Sequence, residues 1–411
     1  MSALPSEGAA PNLYDNASAE EAARQAAAIG HATTTPYFPE VESLRGIAMA
    51  LVYAFHIDRF MSGPLPTDVS LAYAFVRAGH TGVSLFFVLS GFLLSLPFID
   101  GVRRGRLIRP RRFYGRRALR ILPLYYTAVL VGVAFSAHRP SDLLAALPYM
   151  AFLNAVAGWA TPLPDFGAVW WSLATEIQFY ILLPLLPLLL RSRAGRVIGI
   201  AALIVYGAAY VAFLHRDLHM PTIEGQFMFR LSLFGQAPMF LFGITVAAIY
   251  VHAGERLRER LQARPWLRRG GGDAVLFLVI ASLATLLRWQ VWVTHTVSEN
   301  APVFGWHLLE GACWATILGS VLFLPLRSRW IWRSAVLGHL GVISYSMYMW
   351  HIPVERYVVR AFVRLGVHGG AGWTGANAGI TAVITVVCIG ISELTYRYIE
   401  LPFLRRKARL T

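Results

Sequence analysis

Two ionisable residues, Arg45 and His56, stand at the ends of an otherwise apolar stretch, Leu44-Arg45-Gly46-Ile47-Ala48-Met49-Ala50-Leu51-Val52-Tyr53-Ala54-Phe55-His56. Their spacing amounts to three helical turns plus about 20°, so both side chains fall on one face of a helix. Along the axis they are roughly 16 Å apart. With the guanidinium at a membrane surface, the imidazole lies about half a bilayer deep. An ionisable group at that depth is costly unless it faces protein or water, which a reaction or transport site inside a helix bundle provides.

Other residues have types and spacings that suit the same kind of site. Glu176 lies early in a long apolar run, one turn beyond Ser172 and one turn before Tyr180. A carboxylate there needs a partner. It can hold the imidazole of His56, contact an arginine, orient a substrate, or serve as an interhelical clamp. Arg112, Arg116 and Arg120 fall at i, i+4 and i+8 and form one basic stripe, with Arg117 beside it. Guanidinium forks bind phosphates bidentately, and they also fix topology or bind anionic lipid. His351 ends an aromatic run and is followed by Pro353 and Glu355. It reads as a substrate-binding or gating group, or as one more residue of an interfacial belt. Trp170, Trp171, Tyr345, Tyr348 and Trp350 are either packing aromatics or faces on which a sugar stacks. No Gly-x-x-x-x-Gly-Lys loop occurs, so a nucleotide-triphosphate engine is not supported. Cys313 and Cys388 read as small buried hydrophobes, with neither a disulfide nor a metal expected.

The elements that must position these groups are membrane helices. Of 411 residues, 56% are hydrophobic and 14% are charged, against about 25% charged in a soluble domain. Apolar runs centre on residues 44–58, 80–99, 121–136, 143–160, 168–190, 197–214, 231–251, 274–292, 306–326, 335–356 and 376–396. Several approach the roughly 20 residues that a spanning helix needs. The net charge of +15 sits in the loops between them, so it marks cytoplasmic loops rather than a nucleic-acid partner. Residues 101–120 alone carry nine arginines. If all eleven runs crossed, the loop holding Arg191, Arg193 and Arg196 would lie outside, against the positive-inside rule. Treating 143–160 as re-entrant or interfacial repairs every later loop at once, and Pro148, Asn154 and the Thr-Pro-Leu-Pro that follows weaken it as a span.

The expected fold class is therefore all-α. It is a polytopic integral membrane helix bundle of about ten transmembrane helices plus one re-entrant or interfacial segment, with both termini cytoplasmic. Residues 1–40 read as a flexible or surface-helical tail without a cleaved signal peptide, 41–403 as the membrane domain, and 404–411 as a basic tail.

Read in order, five segments resemble the acyltransferase 3 family of bacterial membrane O-acyltransferases. They are Arg45 and His56 within Ser-Leu-Arg-Gly-Ile-Ala, then Gly82-Val83-Ser84-Leu85-Phe86-Phe87-Val88-Leu89-Ser90-Gly91-Phe92, then Arg116-Arg117-Ala118-Leu119-Arg120-Ile121-Leu122-Pro123. Trp171-Ser172-Leu173-Ala174-Thr175-Glu176-Ile177-Gln178-Phe179-Tyr180 and Ser344-Tyr345-Ser346-Met347-Tyr348-Met349-Trp350-His351 complete the set. The resemblance covers roughly residues 40 to 403. It implies transfer of an acyl group, often acetyl, from cytoplasmic acyl-CoA to a hydroxyl of a glycan, glycolipid or other small acceptor. Some members carry a further soluble hydrolase-like domain, which is not expected within these 411 residues.

A thioester is already activated, so the chemistry needs a base that strips the acceptor hydroxyl as it attacks. A neutral imidazole suits that task, and His56 is the expected catalyst. A transient acyl-imidazole is the covalent alternative. Arg45, through donor binding or site electrostatics, and Glu176 are expected to complete the catalytic set, with Arg116, Arg117 and Arg120 on the donor and Trp171, Tyr345 and His351 on the acceptor. Acyl-CoA is expected as co-substrate with no tightly bound cofactor and no metal, in the bacterial inner membrane. Cell-envelope polysaccharide, lipopolysaccharide or a glycolipid is the first acceptor class, and a secondary metabolite such as a macrolide the second. A transporter or flippase, or a membrane sensor or scaffold, is the rival reading.

Overall fold

A computed structural model describes residues 37–61, 69–136, 139–153, 164–217, 231–296, 304–367 and 374–408, and among them the secondary structure is helical with no strand. Among the described residues ten principal helices follow one another: α1 (Pro39–Met61), α2 (Thr81–Arg103), α3 (Pro110–Ser136), α4 (Trp171–Leu182), α5 (Arg193–Asp217), α6 (Leu233–Gln262), α7 (Gly272–Thr296), α8 (Phe304–Phe323), α9 (Ser344–Arg364) and α10 (Gly375–Thr395). A 3-10 turn at Leu183–Leu185 carries α4 on into Leu186–Arg191. Eight of these ten are long and apolar enough to cross a bilayer, and the chain is a multi-pass membrane protein. The other two, α1 and α9, carry Arg45, His56 and His351.

Burial ranks the helices. The apolar window of α2 is 78% buried, and that of α5 is 6% buried. The first is the core of the bundle, and the second presents nearly its whole surface outward. α2 packs most extensively on α6. A Cβ at Gly91 would strike the Phe240 carbonyl and one at Gly243 would strike that of Val88. Small residues thus let two backbones touch, as membrane helix pairs require.

The structure departs from the sequence reading at the apolar run 335–356. It is two helices, Ala335–Val342 and α9, with the break at Ile343. The first part packs along α1. A Cβ at Gly341 would meet the Glu42 carbonyl, and one at Gly46 would meet that of Leu337. At the break the Ser344 hydroxyl donates to the Gly341 carbonyl at 2.7 Å. The N-terminus of α9 therefore lies beside Arg45 instead of being buried within a longer helix.

The region expected not to cross shows two short helices, Pro140–Ala145 and Leu147–Met150, with residues 154–160 of that run outside the described residues. Another short helix, Pro164–Gly167, precedes α4. Its Asp165 accepts from Arg356 at 2.5 Å and Arg360 at 2.7 Å, joining it to α9. The tail expected over residues 1–40 lies outside the described residues up to residue 36. At the other end a helix, Leu401–Ala408, covers most of the expected basic tail.

Candidate active site

A cavity of about 720 Å³ opens between α1, α2, α3, α4 and α9. Its wall holds seven arginines, Arg45, Arg106, Arg109, Arg112, Arg116, Arg117 and Arg120, against two carboxylates, Glu42 and Glu176. The basic stripe reaches the cavity because α3 begins at Pro110, eleven residues before the apolar run that the sequence suggested. One helix face then carries Arg112, Arg116 and Arg120 together.

Two of these guanidinium groups are incompletely satisfied. Arg116 Nη2 and Arg117 Nε are buried with no hydrogen-bond partner among the described residues. A buried donor without an acceptor costs about 1–3 kcal/mol, more when charged, and marks a place where a ligand belongs. Arg120 differs: its Nη1 lies 3.6 Å from Glu400 Oε2. Glu400 ends a π-helical turn, Tyr396–Glu400, and its other oxygen accepts from Ser346 at 2.5 Å. The N-terminus of α9, at Ser344, also lines the cavity. As a helix N-terminus it adds positive potential to the guanidinium field.

Arg45 is held in place by Glu42, 3.1 Å away, and by the Ser344 hydroxyl, to which Nη2 donates at 3.0 Å. Glu176 accepts from Ser90 at 2.5 Å. Tyr180 lies beside it, within reach of both Glu176 and Arg117. Of the partners open to Glu176 from sequence, Arg117 lies near it, with Tyr180 in reach of both, and no contact with His56 is found among the described residues. Tyr345 lines the cavity and donates its hydroxyl to the Ile121 carbonyl at 2.8 Å. Trp171 lies off the cavity wall with its ring 6.2 Å from Phe87.

His56 and His351, from opposite ends of the chain, meet with ring centroids 5.0 Å apart. His56 Nδ1 lies 2.8 Å from the Val52 carbonyl, and His351 Nδ1 lies 2.9 Å from that of Tyr348. A carbonyl only accepts, so each ring carries its proton on Nδ1 and offers a lone pair on Nε2. His351 is wholly buried, and its Nε2 has no partner among the described residues. Neither imidazole is in the cavity wall; Tyr348 is, and its ring lies 5.6 Å from that of His351. Tyr348 is fixed by donating to the Val169 carbonyl at 2.8 Å, with the Ser172 hydroxyl 2.7 Å away. Glu355, one turn beyond His351, is also buried, and neither oxygen has a partner among the described residues.

Sequence reasoning did not select Ser90, Tyr180, Ser344, Glu400, Arg106 or Arg109. The first three lie within the quoted motifs and were available from them. The others gain meaning only from contacts across the bundle. Asp58, two residues past His56, is buried and bound by Tyr73 at 2.7 Å and by Arg77, so it belongs to the scaffold. Both cysteines are free.

The fold and cavity define a polytopic helical membrane protein with a cationic chamber and, behind Tyr348 of its wall, a pair of imidazoles of which His351 is buried. The acyltransferase domain model of the acyltransferase 3 family matches residues 38–393, and the chain belongs to that family. Among curated proteins it is 25% identical over 376 residues to one named "Putative membrane-bound transacylase BcsY" of Komagataeibacter xylinus, covering 88% of this chain and 81% of that protein. It is 24% identical over 391 residues to a "Putative O-acetyltransferase" of Staphylococcus aureus strain COL, covering 89% of this chain and 57% of the relative. It is 23% identical over 384 residues to "Peptidoglycan O-acetyltransferase OatA" of Listeria monocytogenes, covering 89% and 56%. The chain thus spans most of the first relative but little more than half of the other two. No solved structure gives a significant match.

Proposed function

We propose that this acyltransferase takes an acyl group, acetyl in the first instance, from acyl-CoA and places it on a hydroxyl of a glycan, glycolipid or related acceptor. The observation that carries the donor assignment is the cavity: seven arginines against two carboxylates, with Arg116 and Arg117 each presenting a buried nitrogen without a partner among the described residues. Coenzyme A brings several phosphate charges on a long neutral arm. Guanidinium forks and the α9 N-terminus suit the phosphates. Arg116, Arg117 and Arg120 are the donor-binding residues in this reading, and Arg45 holds the inner edge of the chamber.

His56 is the general base. Its Nε2 lone pair takes the hydroxyl proton as the oxygen attacks the thioester carbonyl, and the thiol leaves. Glu176 orients Arg117 through their shared contact with Tyr180. His351 and Tyr345 bound the acceptor. Trp171, off the cavity wall, would meet only an acceptor that extends beyond the cavity. Acetyl as the group transferred and an envelope glycan as acceptor follow the names of the relatives. The compartment is the bacterial inner membrane with both termini cytoplasmic, so the arginine-rich end of the cavity faces the cytoplasm, where acyl-CoA is found.

A transporter or flippase would use the same cavity without chemistry. Purified protein supplied with labelled acetyl-CoA and a cell-envelope glycan fraction distinguishes the two. Free thiol and labelled glycan are expected together, and a transporter gives neither.

A further inference from the structure

The acyl-CoA reading leaves a gap between the donor chamber and His56, because His56 is not in the chamber wall. Tyr348, His351 and His56 stand in file across that gap. Tyr348 is the chamber wall, the His351 ring lies 5.6 Å from it, and the His56 ring lies 5.0 Å from His351. His351 is 0% exposed, while His56 keeps a partly exposed surface away from the chamber. Backbone carbonyls hold both rings in the same tautomer, so each offers an Nε2 lone pair, and that of His351 is buried without a partner among the described residues. A single general base needs one of them. A buried nitrogen that has given up its water without gaining a protein partner is held ready for an atom that arrives.

We propose that His351 is the acyl carrier of this enzyme, a covalent intermediate between the donor chamber and the hydroxyl that His56 activates. The proposal rests on the acyl-CoA reading above, replaces its single displacement at the thioester with two, and moves His351 from the boundary of the acceptor into the chemistry. In the first step His351 Nε2 attacks the thioester carbonyl. The C–N bond forms as the C–S bond breaks, and the sulfur leaves as thiolate. In the second step the acceptor oxygen attacks the same carbonyl while His56 Nε2 takes the hydroxyl proton. The C–O bond forms, the C–N bond breaks, and its electron pair returns to His351. The proton on His56 then passes to the thiolate, leaving both imidazoles neutral, with an ester and a thiol as products. Exclusion of water protects the acyl-imidazole from hydrolysis during the hand-over. The imidazole next to the chamber is placed for the first step and the one beyond it for the second.

The test uses the full chain in detergent with radiolabelled acetyl-CoA and no acceptor. Wild-type protein is expected to release up to one equivalent of thiol, to carry label on the peptide containing His351, and to exchange label between acetyl-CoA and free coenzyme A. His56→Gln should keep the exchange and the labelled peptide but fail to pass label to an envelope glycan fraction. His351→Gln should lose exchange at least a hundredfold while still binding acetyl-CoA, which separates lost chemistry from lost fold. Peptide mapping on the wild-type protein stands independently of either variant. Label on His56, or bound acetyl-CoA with neither adduct nor exchange, overturns the carrier role and leaves the acyl-CoA reading intact. Failure of wild-type protein to bind acetyl-CoA overturns both.

Discussion

At the scale of single residues, the arginines divide by how far their charge is already met. Arg120 has Glu400 as a counter-charge, whereas Arg116 and Arg117 each present a buried nitrogen without a partner among the described residues. A bound phosphate should therefore depend most on the latter two. A charge-assisted hydrogen bond contributes about 1.5–3 kcal/mol, which corresponds to a change in dissociation constant of about 10- to 150-fold. Arg117→Gln is expected to weaken acetyl-CoA binding by that factor, with Arg120→Gln costing less affinity and more stability. Calorimetric titration of the detergent-purified protein measures the first and thermal unfolding the second. Equal, undiminished binding in both variants would remove the phosphate role of the stripe.

Among the elements, the junction of Ala335–Val342 with α9 sets the inner edge of the chamber. It holds because Gly341 and Gly46 allow that helix to lie directly on α1. Gly341→Val should force the two apart, at about 1–3 kcal/mol for the overpacking, and pull Ser344 from Arg45. A lower melting temperature and reduced donor affinity are expected together. A melting temperature equal to wild type would show that the helices do not rely on that contact. Local geometry made the Arg45–His56 face and the Arg112, Arg116 and Arg120 stripe legible in the sequence, since helical periodicity alone fixes them. Hydropathy likewise located the long helices. It could not locate the break at Ile343, because an apolar run reads the same whether or not it bends. Pairings across helices were equally invisible: Ser90 with Glu176, Arg120 with Glu400, and His56 with His351 depend on packing that no local window contains.

For the whole molecule, the account requires the arginine-rich ends of the helices to share one side of the membrane. The nine arginines of residues 101–120 and the group Arg191, Arg193 and Arg196 must then face the same compartment. Single cysteines at positions 106 and 193 should react with an impermeant thiol reagent only from the cytoplasmic side. Reaction of position 193 from the opposite side would place residues 143–160 across the membrane and invert every helix that follows.

If a donor held by arginines is consumed by chemistry at the imidazole pair, transfer must fail when His56 can no longer take a proton, as in His56→Gln. Glutamine keeps a polar amide but cannot take the hydroxyl proton. The measurement is steady-state transfer of labelled acetyl from acetyl-CoA to an envelope glycan fraction, paired with acetyl-CoA binding by the same preparation. Binding within twofold of wild type and transfer reduced to background are expected. Near-normal transfer with intact binding would contradict chemistry at the imidazole pair.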